Sequence, residues 1–228
     1  MLTIAQKAYF DAFGFLIIRE MFTIEEIDDI REATVEVIRK EGGDEALSGE
    51  IGEYALMGFM ELHPRLYDLV DDDRIYEIPE TLLGPDFYLS STDGHVRSGD
   101  TPWHGLKVSD DSGTYAERPN ARVCLYFDTL TQENGALRVI PGSHRRPFAD
   151  HLEVLWQAED DPDCEPFGTV PEDVPCVVLN SKPGDVVVFT ETVYHGSFSG
   201  TASMPLTAQF GSFPTSEEEE RELRALHD

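Results

Sequence analysis

Lysine is nearly absent from this chain, with four residues among 228, beside thirteen arginines. Acidic side chains number 45, and the formal net charge is −28. A surface of that sign repels nucleic-acid phosphates and anionic lipid headgroups, which argues against either as a partner. Acidity combined with so little lysine also suggests a halophilic source, where high salt screens the self-repulsion. Long apolar runs are missing as well, leaving no candidate membrane span. The opening Met1-Leu2-Thr3-Ile4-Ala5-Gln6-Lys7 lacks the basic-then-apolar pattern of a signal peptide. Cysteine is scarce. Cys124, Cys164 and Cys176 are an odd number at spacings that fit no zinc motif. Cys124 and Cys176 sit in apolar runs and read as small buried hydrophobes. These features together place the chain in a reducing cytoplasm.

Neither an internal repeat nor a long linker divides the sequence, so residues 1–228 read as one domain. Its first part, 1–86, is mainly helical in pattern. An amphipathic segment over 3–12 ends near Gly14, and Phe15-Leu16-Ile17-Ile18 suits a short strand. Thr23 and Glu26 form a capping box for a helix whose apolar face carries Ile24, Ile27, Ile30, Thr34 and Ile38. Residues 64–83 read as one or two short helices broken at Pro79 and ended by Gly84-Pro85. From Phe87 the pattern changes to short strands at 87–91, 94–98, 121–127, 136–140, 175–180, 185–190, 194–198 and 205–213, separated by turn residues. So many short strands in one block predict a mostly β fold with flanking helices: a double-stranded β-helix, or cupin-like jelly roll, over 87–215. Ser216 to Glu219 opens a C-terminal helix over 216–228.

Four segments then stand in order. They are Asp100-Thr101-Pro102-Trp103-His104; Asn134-Gly135-Ala136-Leu137-Arg138-Val139-Ile140-Pro141-Gly142-Ser143-His144-Arg145; Lys182-Pro183-Gly184-Asp185-Val186-Val187-Val188-Phe189; and Tyr194-His195-Gly196-Ser197-Phe198. Together they resemble the phytanoyl-CoA dioxygenase family of iron(II)/2-oxoglutarate oxygenases, over roughly residues 8–215. The resemblance implies a small-molecule hydroxylase in which two histidines and a carboxylate hold iron on one face, leaving positions for 2-oxoglutarate and dioxygen. His104 matches the first metal ligand and His195 the second. His144, in the Pro-Gly-Ser-His turn, reads as structural, and Trp103 as core beside the site.

Two family positions depart from the pattern. The metal carboxylate expected two residues after His104 is Leu106. The arginine expected about ten residues after His195, whose planar fork suits a carboxylate, is also missing, because the stretch reads Thr201-Ala202-Ser203-Met204-Pro205-Leu206-Thr207. Asp110 and Glu191 are the candidate replacement carboxylates for the metal. Arg97 and Arg122 are the candidate replacement cations for 2-oxoglutarate. The chain is thus expected to be an oxygenase with a rearranged site. The alternatives are a non-catalytic small-molecule-binding protein on the same barrel, or a halogenase-like variant. The acidic surface argues against a highly anionic substrate such as a CoA ester.

Overall fold

The computed structural model describes residues 2–48, 53–105, 119–156, 165–217 and 220–221. Two helices at the start are built by their caps. Thr3 and Gln6 form a capping box on α1 (Ile4–Phe13), and Gly14 closes that helix with φ 85°, a left-handed conformation that glycine adopts without strain. Thr23 and Glu26 do the same for α2 (Ile24–Ser48): Thr23 N–H donates to Glu26 Oε2 at 2.8 Å, and Glu26 N–H donates to Thr23 Oγ1 at 3.2 Å. The buried face of α2 is Ile27, Ile30, Ala33, Thr34, Val37 and Ile38, while Ile24, expected on that face, is exposed. Residues 64–83 form α3 (Pro64–Val70) and α4 (Asp73–Leu83). The break falls at Asp71-Asp72 rather than at Pro79, which lies inside α4. Asp72 accepts from Arg74 N at 2.9 Å and starts the new helix there.

Among the described residues nine strands make up the barrel, with every pair antiparallel. β1 (Phe15–Ile18), β2 (Tyr54–Met57), β3 (Phe87–His104), β4 (Asn120–Leu125), β5 (Arg138–Val139), β6 (Val177–Val178), β7 (Val186–Phe189), β8 (His195–Ser203) and β9 (Leu206–Ser212) follow in chain order. One sheet runs β1-β7-β4-β9-β3, with β2 on the far side of β3. The other runs β3-β8-β5-β6. The segments expected at 87–91 and 94–98 are therefore one strand. Its first half pairs with β9 and its second half with β8, so β3 carries the chain from one sheet into the other. The helical flank 1–86 likewise contributes β1 and β2 to the sheet. The C-terminal helix expected over 216–228 falls mostly outside the described residues.

The two-residue repeat of a strand sorts the side chains. Val186 and Val188 of β7, Val123 and Leu125 of β4, and Leu206, Ala208 and Phe210 of β9 face the helices, packing with Ile27, Ile30, Leu66 and Ile78. Their alternates point between the sheets: Val187 and Phe189, Arg122 and Cys124, Thr207 and Gln209. The helices thus bury one face of the first sheet, and the functional groups are left to the other. No helix among the described residues is long and apolar enough to cross a membrane.

Candidate active site

A β-bulge positions the first histidine. Thr101 is opposite Ser197 in the register, yet the next partners are His104 and His195, three residues on in β3 against two in β8. Opposed residues share a face, and one extra residue reverses it. Without the bulge His104 would point away from the interior; with it, His104 and His195 face the same cavity. Trp103 turns the opposite way. It is fully buried against Phe198, and its Nε1–H donates to Pro171 O at 2.7 Å, which makes it core. The paired strands β3 and β8 meet closely here: a Cβ added at Gly200 would lie 2.4 Å from Gly99 O, so that position admits only glycine.

The His104 and His195 ring centroids lie 4.1 Å apart. His104 Nδ1 lies 2.8 Å from Pro102 O, and His195 Nδ1 lies 2.8 Å from Val193 O. A carbonyl can only accept, so each Nδ1 carries the proton and, in the neutral ring, the lone pair is on Nε2. This is the tautomer that metal-binding histidines are held in by their outer partners. Burial, the neighbouring His104 and the nearby Arg122 and Arg97 hold His195 well below the ordinary histidine range despite the Val193 carbonyl, so its ring is neutral and able to ligate. The Phe189 ring closes the other side at 4.7 Å from His195. These two donors fit a metal such as iron(II). Among the described residues no third His, Cys, Asp or Glu joins them. Leu106 and Asp110 lie outside the described residues.

A cavity of about 80 Å³ opens beside the pair. Opposite the histidines it is lined by a buried polar network that sequence reasoning missed. Asp93 Oδ2 accepts from Arg122 Nη2 at 2.6 Å and from Thr207 Oγ1 at 2.6 Å, and Asp93 Oδ1 pairs with His95 Nε2. Arg122 Nη1 then reaches Glu191 Oε1 at 3.0 Å, and Gln209 Nε2 donates to Glu191 Oε2. Glu191 is consequently corrected as a metal candidate. Its carboxylate is held by Arg122 and Gln209, its backbone N–H donates to Asn120 Oδ1 at 2.8 Å, and it does not line the cavity of the histidine pair. Arg97 and Arg122 both line that cavity. A signal for the network was present in the alternation Asp93, His95, Arg97: three ionisable groups on one face of a strand, which are inward-facing if that face is the barrel interior. His144 has the structural place expected of it, with Nε2 lying 3.2 Å from Asp11 O at the end of α1.

The two carboxylates around Arg122 are pushed in opposite directions. Burial raises Asp93, but the His95 hydrogen bond and the Arg122 charge outweigh it and hold it at about 2. Burial dominates at Glu191, with Asp93 adding to it, and raises that carboxyl despite Arg122. A depressed carboxyl stabilises the fold above its unfolded value of 3.8 and loses that contribution as pH falls through about 2. Asp93→Asn is therefore expected to remove a stability increment of roughly 2 kcal/mol at neutral pH and to flatten acid unfolding between those two values. Unfolding followed by circular dichroism across pH 2 to 5 measures it. An unaltered acid limb in the variant would show that Asp93 is not held ionised.

Fold and site together define the class of iron(II)- and 2-oxoglutarate-dependent oxygenases with a jelly-roll barrel. Residues 10–203 match the family model described as phytanoyl-CoA dioxygenase, and the chain belongs to that family. The ectoine dioxygenase of Sphingopyxis alaskensis is 25% identical over 228 aligned residues, covering 90% of this chain and 73% of its own length. The peroxisomal phytanoyl-CoA dioxygenase of Rattus norvegicus is 23% identical, covering 86% of this chain and 64% of its own. Among solved structures, HygX from Streptomyces hygroscopicus with nickel and 2-oxoglutarate bound superimposes with a TM-score of 0.72 at 21% identity, over 94% of this chain and 88% of that one.

Proposed function

We propose that this oxygenase hydroxylates a compact, weakly charged small molecule, with His104 and His195 as two of the iron ligands. The observation that carries the reading is the in-register histidine pair, both rings held by backbone carbonyls in the ligating tautomer. Bound iron(II) would supply the centre at which dioxygen is reduced. The chain's own groups prepare the place. The Pro102 and Val193 carbonyls fix ring orientation and proton position. Phe189 excludes water from one side of His195. Asp93, Arg122 and Thr207 present a closed polar wall on the other. Position 106 carries leucine, so the carboxylate usual there is missing from the sequence, and Asp110 in the same segment is the remaining candidate for it.

The net reaction balances as 2-oxoglutarate, dioxygen and R–H giving succinate, carbon dioxide and R–OH, with one oxygen atom entering succinate and the other the product. Ectoine is the first substrate to offer, because relatives at 25% to 27% identity are ectoine dioxygenases. The surface charge of −28 disfavours a multiply anionic substrate such as a CoA ester. Purified protein with iron(II), ascorbate, 2-oxoglutarate and ectoine is expected to form succinate and a product heavier by one oxygen, carrying ¹⁸O when ¹⁸O₂ is supplied. Absence of succinate above a metal-free control, across ectoine and a panel of compact amino and imino acids, would favour a binding protein on this barrel instead.

A further inference from the structure

The geometry points to Arg97 as the cation that receives the distal carboxylate of the co-substrate, with Glu53 as the anion that carboxylate displaces. This inference rests on the reading of the cavity as a 2-oxoglutarate site. Leu206, in the stretch where the family's arginine is expected, is fully buried on the helix side of β9 and faces away from the cavity. Pro205, ten residues after His195, does line the cavity but carries no charge, so no cation stands at that point of the strand. Arg122 lines the cavity, but its guanidinium is committed to Asp93 at 2.6 Å, Glu191 at 3.0 Å and Thr207 at 3.4 Å. A carboxylate arriving there would meet two buried carboxylates of the protein already paired with the same fork.

Arg97 is placed differently. It lines the cavity of about 80 Å³ beside the histidines and also an adjoining one of about 50 Å³. The two share Arg97, Thr101, Tyr126, Leu137, Ser197 and Pro205 in their walls, so Arg97 stands where they meet. The one charged partner of Arg97 among the described residues is Glu53, whose Oε1 lies 2.8 Å from Nε without the alignment of a hydrogen bond. Glu53 has 56% of its side chain exposed, so its carboxylate can leave for water at little cost. The guanidinium then offers two parallel N–H groups to a ligand carboxylate, the bidentate pairing for which arginine is suited. The hydroxyls of Thr101, Tyr126 and Ser197 line the same wall as further donors.

The test is calorimetric titration of the anaerobic iron(II)-loaded protein with two probes, 2-oxoglutarate and pyruvate. Both carry the 2-oxo acid end, and pyruvate lacks the distal carboxylate. Arg97→Gln is expected to weaken 2-oxoglutarate by roughly 10-fold or more, as for loss of one charge-assisted hydrogen-bonded pair, while leaving pyruvate unchanged. Arg97→Lys should fall between, because it keeps the charge and loses the fork. Glu53→Gln, at an exposed position, should tighten 2-oxoglutarate several-fold and leave pyruvate alone. Unchanged 2-oxoglutarate affinity in Arg97→Gln, or an equal loss for both acids, would overturn the assignment while the functional reading stands. An unaltered protein that binds neither acid would overturn both.

Discussion

Replacing His195 with alanine is expected to abolish iron(II) binding and, with it, succinate formation. The ring is 6% exposed and sits 4.1 Å from the His104 centroid, with its Nδ1 fixed by Val193 O. Losing an outer-sphere partner of a metal ligand costs about 10–100-fold in affinity. Losing one of the two donors that converge among the described residues should exceed that range. His104→Ala should behave alike, and the double variant should be no worse than either single one, since one imidazole does not make a site. His144→Ala is the control. His144 ties its turn to Asp11 O, so its removal should lower the melting temperature by a few degrees, as for loss of about 1 kcal/mol, and leave metal affinity unchanged. Equilibrium dialysis against iron(II), with thermal melts on the same samples, reads both effects. Full metal affinity in His195→Ala would place the metal elsewhere.

The second large effect is expected at Arg122. Its guanidinium joins Asp93, whose side chain is 1% exposed, to Glu191, at 11%. Arg122→Ala leaves two carboxylates facing each other in the barrel interior without a cation. Removing one partner from a buried ion pair costs about 3–5 kcal/mol. In a protein of this size that corresponds to a melting temperature lower by roughly 10 °C. Adding Asp93→Asn and Glu191→Gln to Arg122→Met should recover much of the loss, because the triple variant has no unpaired charge to bury. A melting temperature that stays within two or three degrees in Arg122→Ala would mean that the network is solvated and contributes little.

These expectations show where the sequence was readable. The capping box at Thr23 depends on residues three apart, and α2 begins where that pair stands. The barrel strands were legible from apolar alternation and turn residues, because burial of one face imposes the period directly. The union of 87–91 and 94–98 into β3 was not, because the small and polar residues near Thr92 and Gly94 look like a turn. They are interior positions instead: Thr92 accepts from Met60 N, and a Cβ at Gly94 would collide with the Phe59 ring. The break placed at Pro79 failed for a similar reason. Proline propensity weighed against a helix, but the cap at Asp72 and the burial of Ile75, Ile78 and Leu82 decided the boundaries.

The site divides in the same way. His104 and His195 could be named from flanking motifs, although what makes them neighbours is a bulge that no local pattern announces. Asp93, His95, Thr207 and Gln209 carry no motif. They matter because parity on two strands, β3 and β9, turns them inward, and that parity is fixed only by the assembled sheet. Glu191 illustrates the converse. Its closeness to His195 in sequence suggested a ligand, whereas Arg122, distant in sequence and adjacent across the sheet, takes its carboxylate.

If His104 and His195 together hold one metal ion, anomalous diffraction will locate it between them. Crystals grown or soaked anaerobically with iron(II), and measured on both sides of the iron edge, should give a single strong peak between the two rings. That peak should lie within roughly 2.2 Å of both Nε2 atoms, the ordinary length of a metal–imidazole bond. No peak at that position in crystals that contain iron, or a peak bound only by surface carboxylates, would show that the histidine pair does not hold the metal.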